Sequence, residues 1–201
     1  MIRLLLAEDQ AMMRGALAVL LELEDDLEVV GQVSTAAEVL PAVGRHRPDV
    51  ALLDIELPDG SGLDVSAELR AAYPGCEVVI VTTFGRPGYL RRAFQAGAKG
   101  FLVKDGPVEA LADAVRRVHA GQTVVDPELA AAALSSPVSP LSRREEDVLL
   151  GSVGGATTAD LAHRLHLSES TVRNYLSTAI AKTSSRNRAE ALATARELGW
   201  L

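Results

Sequence analysis

The first 120 residues alternate short apolar runs with longer amphipathic stretches, and that alternation restricts the fold more than any other feature of the chain. The runs at Arg3–Ala7, Glu28–Val33, Val50–Leu53, Val78–Val81 and Gly100–Val103 are rich in Val and Leu and mostly apolar throughout. Strands covered on both faces read this way, whereas half-buried strands alternate apolar with polar. Between them, Ala11–Leu23, Ala36–Arg45, Gly62–Tyr73, Gly88–Ala96 and Val108–Ala120 carry helical patterning. Successive β-then-α units predict an α/β, doubly wound, parallel five-stranded sheet with helices on both faces. Pro41 falls inside the second helix and is expected to shorten or kink it.

The pattern then stops. Residues 121–140 contain an alanine run that suits a short helix, followed by SSPVSP, a linker signature. Beyond it no strand pattern recurs, and Ser142–Leu150, Thr158–Leu165, Glu169–Lys182 and Asn187–Leu198 read as four short helices. The expected division is 1–120, a linker over 121–140, and a small all-α domain over 141–201. Charge divides along the same line. Residues 1–140 hold 12 Lys+Arg against 20 Asp+Glu, a net of −8, whereas 141–201 hold 8 against 7, a net of +1. Such asymmetry points to two parts with different partners.

No apolar run approaches the roughly 20 residues that span a bilayer. The opening MIRLLLAEDQ is broken by Glu8 and Asp9 and reads as a buried first strand rather than a signal peptide. Cys76 is the single cysteine, so an intrachain disulfide and a Cys-based metal site are excluded. A reducing cytoplasm is the expected compartment.

In an open parallel sheet, ligands bind beyond the carboxyl ends of the strands, at the point where strand order reverses. Glu8 and Asp9 follow the first strand and Asp54 ends the third. Converging carboxylates repel one another unless a cation joins them, and Mg²⁺ takes one or two carboxylates plus water and phosphate oxygens. Thr82 ends the fourth strand with a hydroxyl and Lys104 the fifth with an ammonium. Each of these residues alone is an ordinary strand-end or surface residue. Together they suit an aspartyl-phosphate: Asp54 as nucleophile, Mg²⁺ and Lys104 offsetting charge on the phosphoryl oxygens, and Thr82 donating a hydrogen bond.

The segments LLLAEDQ, VALLDIELPDGSGLD, VVIVTTF and AGAKGFLVKD resemble the flavodoxin-like receiver domain of two-component response regulators over residues 1–120. The resemblance implies that Asp54 accepts phosphate from a sensor histidine kinase. It implies that Glu8, Asp9, Asp54 and the backbone carbonyl of Glu56 hold Mg²⁺, that Thr82 and Lys104 sense the phosphoryl group, and that Phe101 stands at the aromatic switch position. Pro58 and Gly62 match the loop after the phosphorylated strand. The new charge on Asp54 is expected to draw Thr82 inward and vacate space near Phe101, repacking the face of the fourth helix, fifth strand and fifth helix.

In the C-terminal part, Leu161, Ala162 and Leu165 form the apolar face of one helix, HLS a short turn, and Val172, Leu176, Ala179 and Ile180 the apolar face of the next. Ser168 is a good N-cap. The opposite face carries Thr171, Arg173, Asn174, Ser177, Thr178 and Lys182, which can reach phosphates and base edges. Two readings fit: a helix-turn-helix with a recognition helix, or a helical interaction domain with a solvated polar face. LSRREEDVLLGSVGG, TTADLAHRLHLSESTVRNYLSTAIAKT and RNRAEALATA resemble the LuxR-type (NarL/FixJ) DNA-binding domain. By that resemblance Arg173, Asn174 and Ser177 face base edges, and Thr171, Lys182 and Arg188 contact phosphates of double-stranded DNA. TSSRNR is less basic than the family usually shows, so pairing of two copies on phosphorylation would supply part of the affinity. The small residues Ala189, Ala191, Ala193 and Ala195 are the expected contact between DNA-binding domains. AEDQAMMRGALAVLLELEDDLEVVG and the ending LGW resemble the branch of this family that regulates a membrane-lipid desaturase in a thermosensing system.

The implied partners are the kinase, DNA, a second copy of the chain and RNA polymerase, with no membrane and no enzymatic role. Two other readings compete. DIEL faintly resembles the haloacid-dehalogenase phosphatases, but those carry a second Asp where Glu56 stands, and their motif belongs to the chain's first strand, whereas here it ends the third. The other is a phosphorylation-independent regulator of the same fold, against which the full set Glu8, Asp9, Asp54, Thr82 and Lys104 speaks. TFGRPG reads as a turn after the fourth strand and lacks P-loop spacing.

Overall fold

In the computed structural model the described residues are 1–83, 85, 87–135 and 138–201. Phe84 and Arg86 of the expected TFGRPG turn, and Ser136 and Pro137 of the expected linker, lie outside them. The chain divides into two compact units, residues 1–85 with 90–132, and 86–89 with 133–201.

In the first unit, β1 (Ile2–Ala7), β2 (Leu27–Val33), β3 (Val50–Leu53), β6 (Glu77–Thr82), β7 (Gly100–Val103) and β8 (Val124–Val125) form a sheet in the order β2-β1-β3-β6-β7-β8. Every neighbouring pair in it is parallel. The helices α1 (Ala11–Glu22), α2 (Ala36–His46), α3 (Gly62–Ala72), α4 (Pro87–Gln95) and α5 (Val108–His119) connect successive strands or follow them. A two-residue ladder, β4 (Glu56–Leu57) with β5 (Gly60–Ser61), makes a hairpin directly after Asp54. Strand β3 is buried at all four positions, which is why its sequence shows no alternation. Leu4, Leu6, Leu52, Val79, Val115 and Val118 belong to the core beneath it.

The sheet has six strands, not the five expected. The sixth, β8, lies in the segment expected as a linker, where α6 (Pro127–Ser135) also forms. Two valines after Gly121 are too few to show a periodicity. They become a strand only because β7 offers an open edge: Val124 N–H donates to Lys99 O at 2.8 Å, and Phe101 aligns with Val125. Pro41 does not end α2, which runs from Ala36 to His46 with the proline inside. The first turn of that helix is held from outside. Glu38 accepts from the Ser34 and Thr35 amides, and Asp59 accepts from the Ala36 and Ala37 amides. The other helix ends differ from expectation by at most one residue, mostly where capping residues such as Tyr73, Ser142 and Asn187 were counted as helix, while α4 starts one residue earlier, at Pro87, and α7 ends one residue later, at Gly151.

The second unit packs α7 (Arg143–Gly151), α8 (Thr158–Leu165), α9 (Glu169–Lys182) and α10 (Arg188–Glu197), with a short 3-10 turn at Val153–Gly155. Val148, Leu149, Leu161, Val172, Leu176 and Trp200 are among its core residues. Helix α8 starts with a reciprocal cap, Asp160 N–H donating to Thr157 Oγ1 and Thr157 N–H to Asp160 Oδ2. It stops at His166, whose φ of 53° is left-handed, and Leu167 N–H returns to Ala162 O at 2.9 Å. Ser168 then caps α9 through Thr171 N–H. Ala191 and Ala195 of α10 are fully buried in this core, so they cannot serve the contact between copies expected of them. Spaced four apart, they share the helix face that meets the neighbouring helices. Ala189 and Ala193 are exposed.

Candidate functional site

Strands β1 and β3 are neighbours with Ala7 opposite Leu53, so the residues that follow them emerge at one level. Asp54 N–H donates to Ala7 O at 2.9 Å and fixes that register past the strand ends. β2 lies on one side of β1 and β3 on the other, which makes this gap the point where strand order reverses. Glu8 and Asp54 are buried and Asp9 is exposed; one carboxylate oxygen from each lies within 4.8 Å of the others. Gly62 closes the loop beneath them. Its N–H donates to Ile55 O, and a Cβ at this position would collide with the Asp54 carbonyl oxygen.

Lys104 follows β7, with its N–H on Thr82 O. Its Nζ sits 2.5 Å from Glu8 Oε2 and 2.8 Å from Asp54 Oδ2. Burial pushes the Glu8 carboxyl above its ordinary value, the nearby Asp54 charge adds to this, and Lys104 only partly opposes it. Burial alone would lower the Lys104 ammonium, but its bonds to Asp54 and Glu8 raise it instead. Three carboxylates against one ammonium leave two negative charges uncompensated in a partly dry pocket. That charge and an all-oxygen donor set fit a divalent cation such as Mg²⁺. Thr82 is buried at the end of β6, Phe101 is fully buried in β7, and Glu56 opens the hairpin. The structure therefore brings Glu8, Asp9, Asp54 and Lys104 together and places Thr82 on the adjoining strand end.

In the second unit Arg173, Asn174 and Ser177 lie exposed on α9. Arg173 Nη1 pairs with Glu169 at 3.1 Å, one turn earlier. The other three expected DNA contacts have partners within the unit. Thr171 Oγ1 shares a 2.8 Å hydrogen bond with Ser168 Oγ. Arg188 donates to Ala156 O at 2.7 Å. Lys182 donates to both carboxylate oxygens of Glu145 at 3.0 and 2.8 Å. Reasoning from sequence missed Glu145. It is buried on α7 and also accepts from Ser142 N–H at 2.6 Å. Burial alone would raise its carboxyl, but Lys182 and Ser142 together bring it below the ordinary value. The S-x-x-E spacing of Ser142 and Glu145 is the signal that could have found it.

The fold and both sites define a two-part protein, with an acidic pocket at the strand ends of an α/β unit and a helix-turn-helix unit. Comparison with known proteins agrees with that division. Residues 4–116 match the response regulator receiver domain family, and residues 139–195 match the bacterial regulatory proteins of the luxR family. The chain is 46% identical over its full length, and that of the relative, to an uncharacterized transcriptional regulatory protein, YvfU of Bacillus subtilis. It is 44% identical to the transcriptional regulatory protein DesR of the same organism, covering 100% of this chain and 99% of that one. A crystal structure of the response regulator ChrA, of a heme-sensing two-component system, superposes with a TM-score of 0.59 at 32% identity, covering 100% of this chain and 98% of the other. The chain belongs to the response regulators of the NarL/FixJ type, which join a receiver domain to a LuxR-type DNA-binding domain. No helix among the described residues is long and apolar enough to cross a membrane.

Proposed function

We propose that Asp54 takes a phosphoryl group from the phosphohistidine of a sensor kinase and that this modification controls sequence-specific DNA binding by the second unit. The observation that carries the reading is the Lys104 ammonium seated between Glu8 and Asp54 in a cluster of three carboxylates. In the transfer, an Asp54 carboxylate oxygen attacks phosphorus, the phosphorus–nitrogen bond of the kinase breaks, and the imidazole leaves with a proton. Glu8, Asp9, Asp54 and the Glu56 carbonyl would hold Mg²⁺. Bound there, the ion offsets charge on the transferring oxygens. Lys104 exchanges a carboxylate for a phosphoryl oxygen, and Thr82 donates its hydroxyl to another. Movement of Thr82 toward the phosphoryl group repacks the surroundings of Phe101, the two-state element of the switch.

The output is dimerisation. Met12 and Val19 of α1 and Leu23, its C-cap, are 88%, 61% and 73% exposed, and their spacing puts them on one helix face. An apolar stripe of this kind suits a second copy of the chain. On DNA, Arg173 exchanges Glu169 for a guanine edge while Asn174 and Ser177 read neighbouring bases. Thr171, Lys182 and Arg188 flank that face and serve the phosphates. Lys182 has a third N–H for this while it stays on Glu145, and Arg188 has unused guanidinium donors. The chain acts in the cytoplasm as a regulator of RNA polymerase rather than as an enzyme, with the six-stranded unit through β8 as receiver and residues 141–201 as DNA-binding domain.

Sedimentation with Mg²⁺ and beryllofluoride tests the reading. Wild type should pass from monomer to dimer and Asp54→Ala should not. A dimer in both, or in neither, would favour the phosphorylation-independent regulator.

A further inference from the structure

The carboxylate pocket is enclosed by a circuit of hydrogen bonds, and one exposed side chain closes it. Asp54 N–H reaches Ala7 O at 2.9 Å, and Glu8 N–H reaches Val33 O at 3.1 Å. These backbone bonds tie the end of β3 to β1, and β1 to the turn between β2 and α2. On the far side the hairpin leaves Asp54, with Glu56 opposite Ser61 and Leu57 opposite Gly60. Its tip returns to the same turn. Asp59 Oδ1 accepts from Ala36 N–H at 2.6 Å, and Oδ2 from Ala37 N–H at 3.0 Å. The hairpin backbone also packs there, since a Cβ on Gly60 would stand 3.1 Å from Ala36 Cβ. The segment Val33–Ala37 therefore meets Glu8 on one side and the loop bearing Glu56 on the other.

Helix α2 gains from Asp59 as well, because a proline interrupts its bonding and its first amides have no partner in the helix itself. That alone would make Asp59 a cap. The circuit gives it a second consequence. The Glu56 carbonyl belongs to a two-residue ladder, the shortest kind of hairpin and a weak one by itself. Backbone bonds fix its base, through Asp54 N–H on Ala7 O and Gly62 N–H on Ile55 O, and the Asp59 carboxylate is the side chain that ties its tip to the turn beside Glu8.

We infer that Asp59 is a positioning residue for the cation site, setting where the Glu56 carbonyl stands relative to Glu8 and Asp54. This rests on the assignment of that site to Mg²⁺. Its effect falls on metal affinity, not on the chemistry of transfer, because Asp59 holds a ligand in place and touches neither the metal nor phosphorus.

The test uses the full chain and Mg²⁺ alone, titrated by calorimetry well below the melting temperature, beside phosphorylation by acetyl phosphate. Asp59→Ala should weaken Mg²⁺ roughly tenfold, the lower end of what outer positioning groups contribute. The Mg²⁺ concentration for half-maximal phosphorylation should rise by the same factor, with the rate at saturating Mg²⁺ unchanged. Glu38→Ala is the control. It removes the other cap of α2, on Ser34 and Thr35, without touching the hairpin, so it should lower the melting temperature and leave Mg²⁺ affinity intact. Asp59→Asn drops the charge and keeps an oxygen for one amide, and should recover most of the affinity. Equal Mg²⁺ affinity in Asp59→Ala and wild type would reduce Asp59 to a helix cap. Equal losses in Asp59→Asn and Asp59→Ala would assign the effect to charge. Either result overturns the tether. Failure of wild type to bind Mg²⁺ would instead overturn the cation site itself, and this inference with it.

Discussion

Both units hold a lysine against a glutamate, and they use the pair in opposite ways. In the receiver, Lys104 and Glu8 are 5% and 3% exposed, and a second acid, Asp54, shares the same ammonium. In the helical unit, Lys182 is 35% exposed and Glu145 5% exposed, and Ser142 N–H gives that carboxylate a further donor. The first cluster carries more negative charge than it can neutralise, which fits an added divalent cation. The second is balanced and joins α7 to α9. Buried charge left uncompensated makes a switch, whereas compensated charge makes a brace. The same contrast governs burial. The receiver holds its acidic cluster and Lys104 at strand ends, largely buried, and the helical unit exposes Arg173, Asn174 and Ser177 on one face of α9.

The largest effect should come from Asp54→Ala, which is expected to abolish phosphoryl uptake from acetyl phosphate or a kinase, read on a phosphate-affinity gel. Residual labelling at wild-type level would move the phosphoacceptor elsewhere. The two lysines test the comparison directly. Lys104→Met strips buried acids of their counter-charge and should destabilise the receiver by about 3–5 kcal/mol in metal-free buffer. Mg²⁺ should restore part of that loss. Lys182→Met leaves one acid with another donor still in place and should cost about 1–3 kcal/mol. Equal losses would erase the distinction between switch and brace. Arg173→Ala should weaken operator binding by about 1–3 kcal/mol and relax selection at one base pair, with little change in fold.

Acid adds a finer test. The Glu145 carboxyl lies below its ordinary 4.5 in the folded unit. A carboxyl lowered by folding stabilises fully above its unfolded value, and that contribution is lost as pH falls through the folded one. Glu145→Gln should therefore be less stable than wild type at neutral pH, with the gap closing below about pH 4.5. A constant gap would mean that charge plays no part. The smallest expected effect is a separation of midpoints. Trp200, the only tryptophan, is buried in the helical unit, and Cys76, the only cysteine, is buried in the receiver. Burial pushes the Cys76 thiol up to about 12, so thiol reagents should react only when the receiver opens. Denaturation followed by Trp200 fluorescence and by Cys76 reactivity should give midpoints that differ, the smaller helical core yielding first. Coincident curves would make the two units one cooperative block.

The clustering of Glu8, Asp9, Asp54 and Lys104 was legible because each is the residue at, or just past, the end of an apolar run. The position of a strand end in sequence is nearly its position in the pocket. Asp59 was not legible, since its partners Ala36 and Ala37 lie more than twenty residues away and on a helix whose proline spoke against it. Strand β8 escaped for a related reason. Two residues carry no period, and their pairing depends on the free edge of β7. In the helical unit the exposed polar face of α9 was readable from helical spacing. The internal partners of Lys182 and Arg188 were not, because Glu145 and Ala156 belong to other elements.

The sequence by itself determined the class of each unit, the order of the elements and which acids, hydroxyl and lysine stand at strand ends. These follow from local periodicity and from the rule that parallel strands gather their carboxyl ends on one side. Only the tertiary structure decided which of those groups are paired, which are buried and which are held from a distance. Lys104 between Glu8 and Asp54, Lys182 on Glu145 and Asp59 on α2 each join elements far apart in the chain. A side chain's charge and bonding depend on what folding brings beside it, and no local pattern records that.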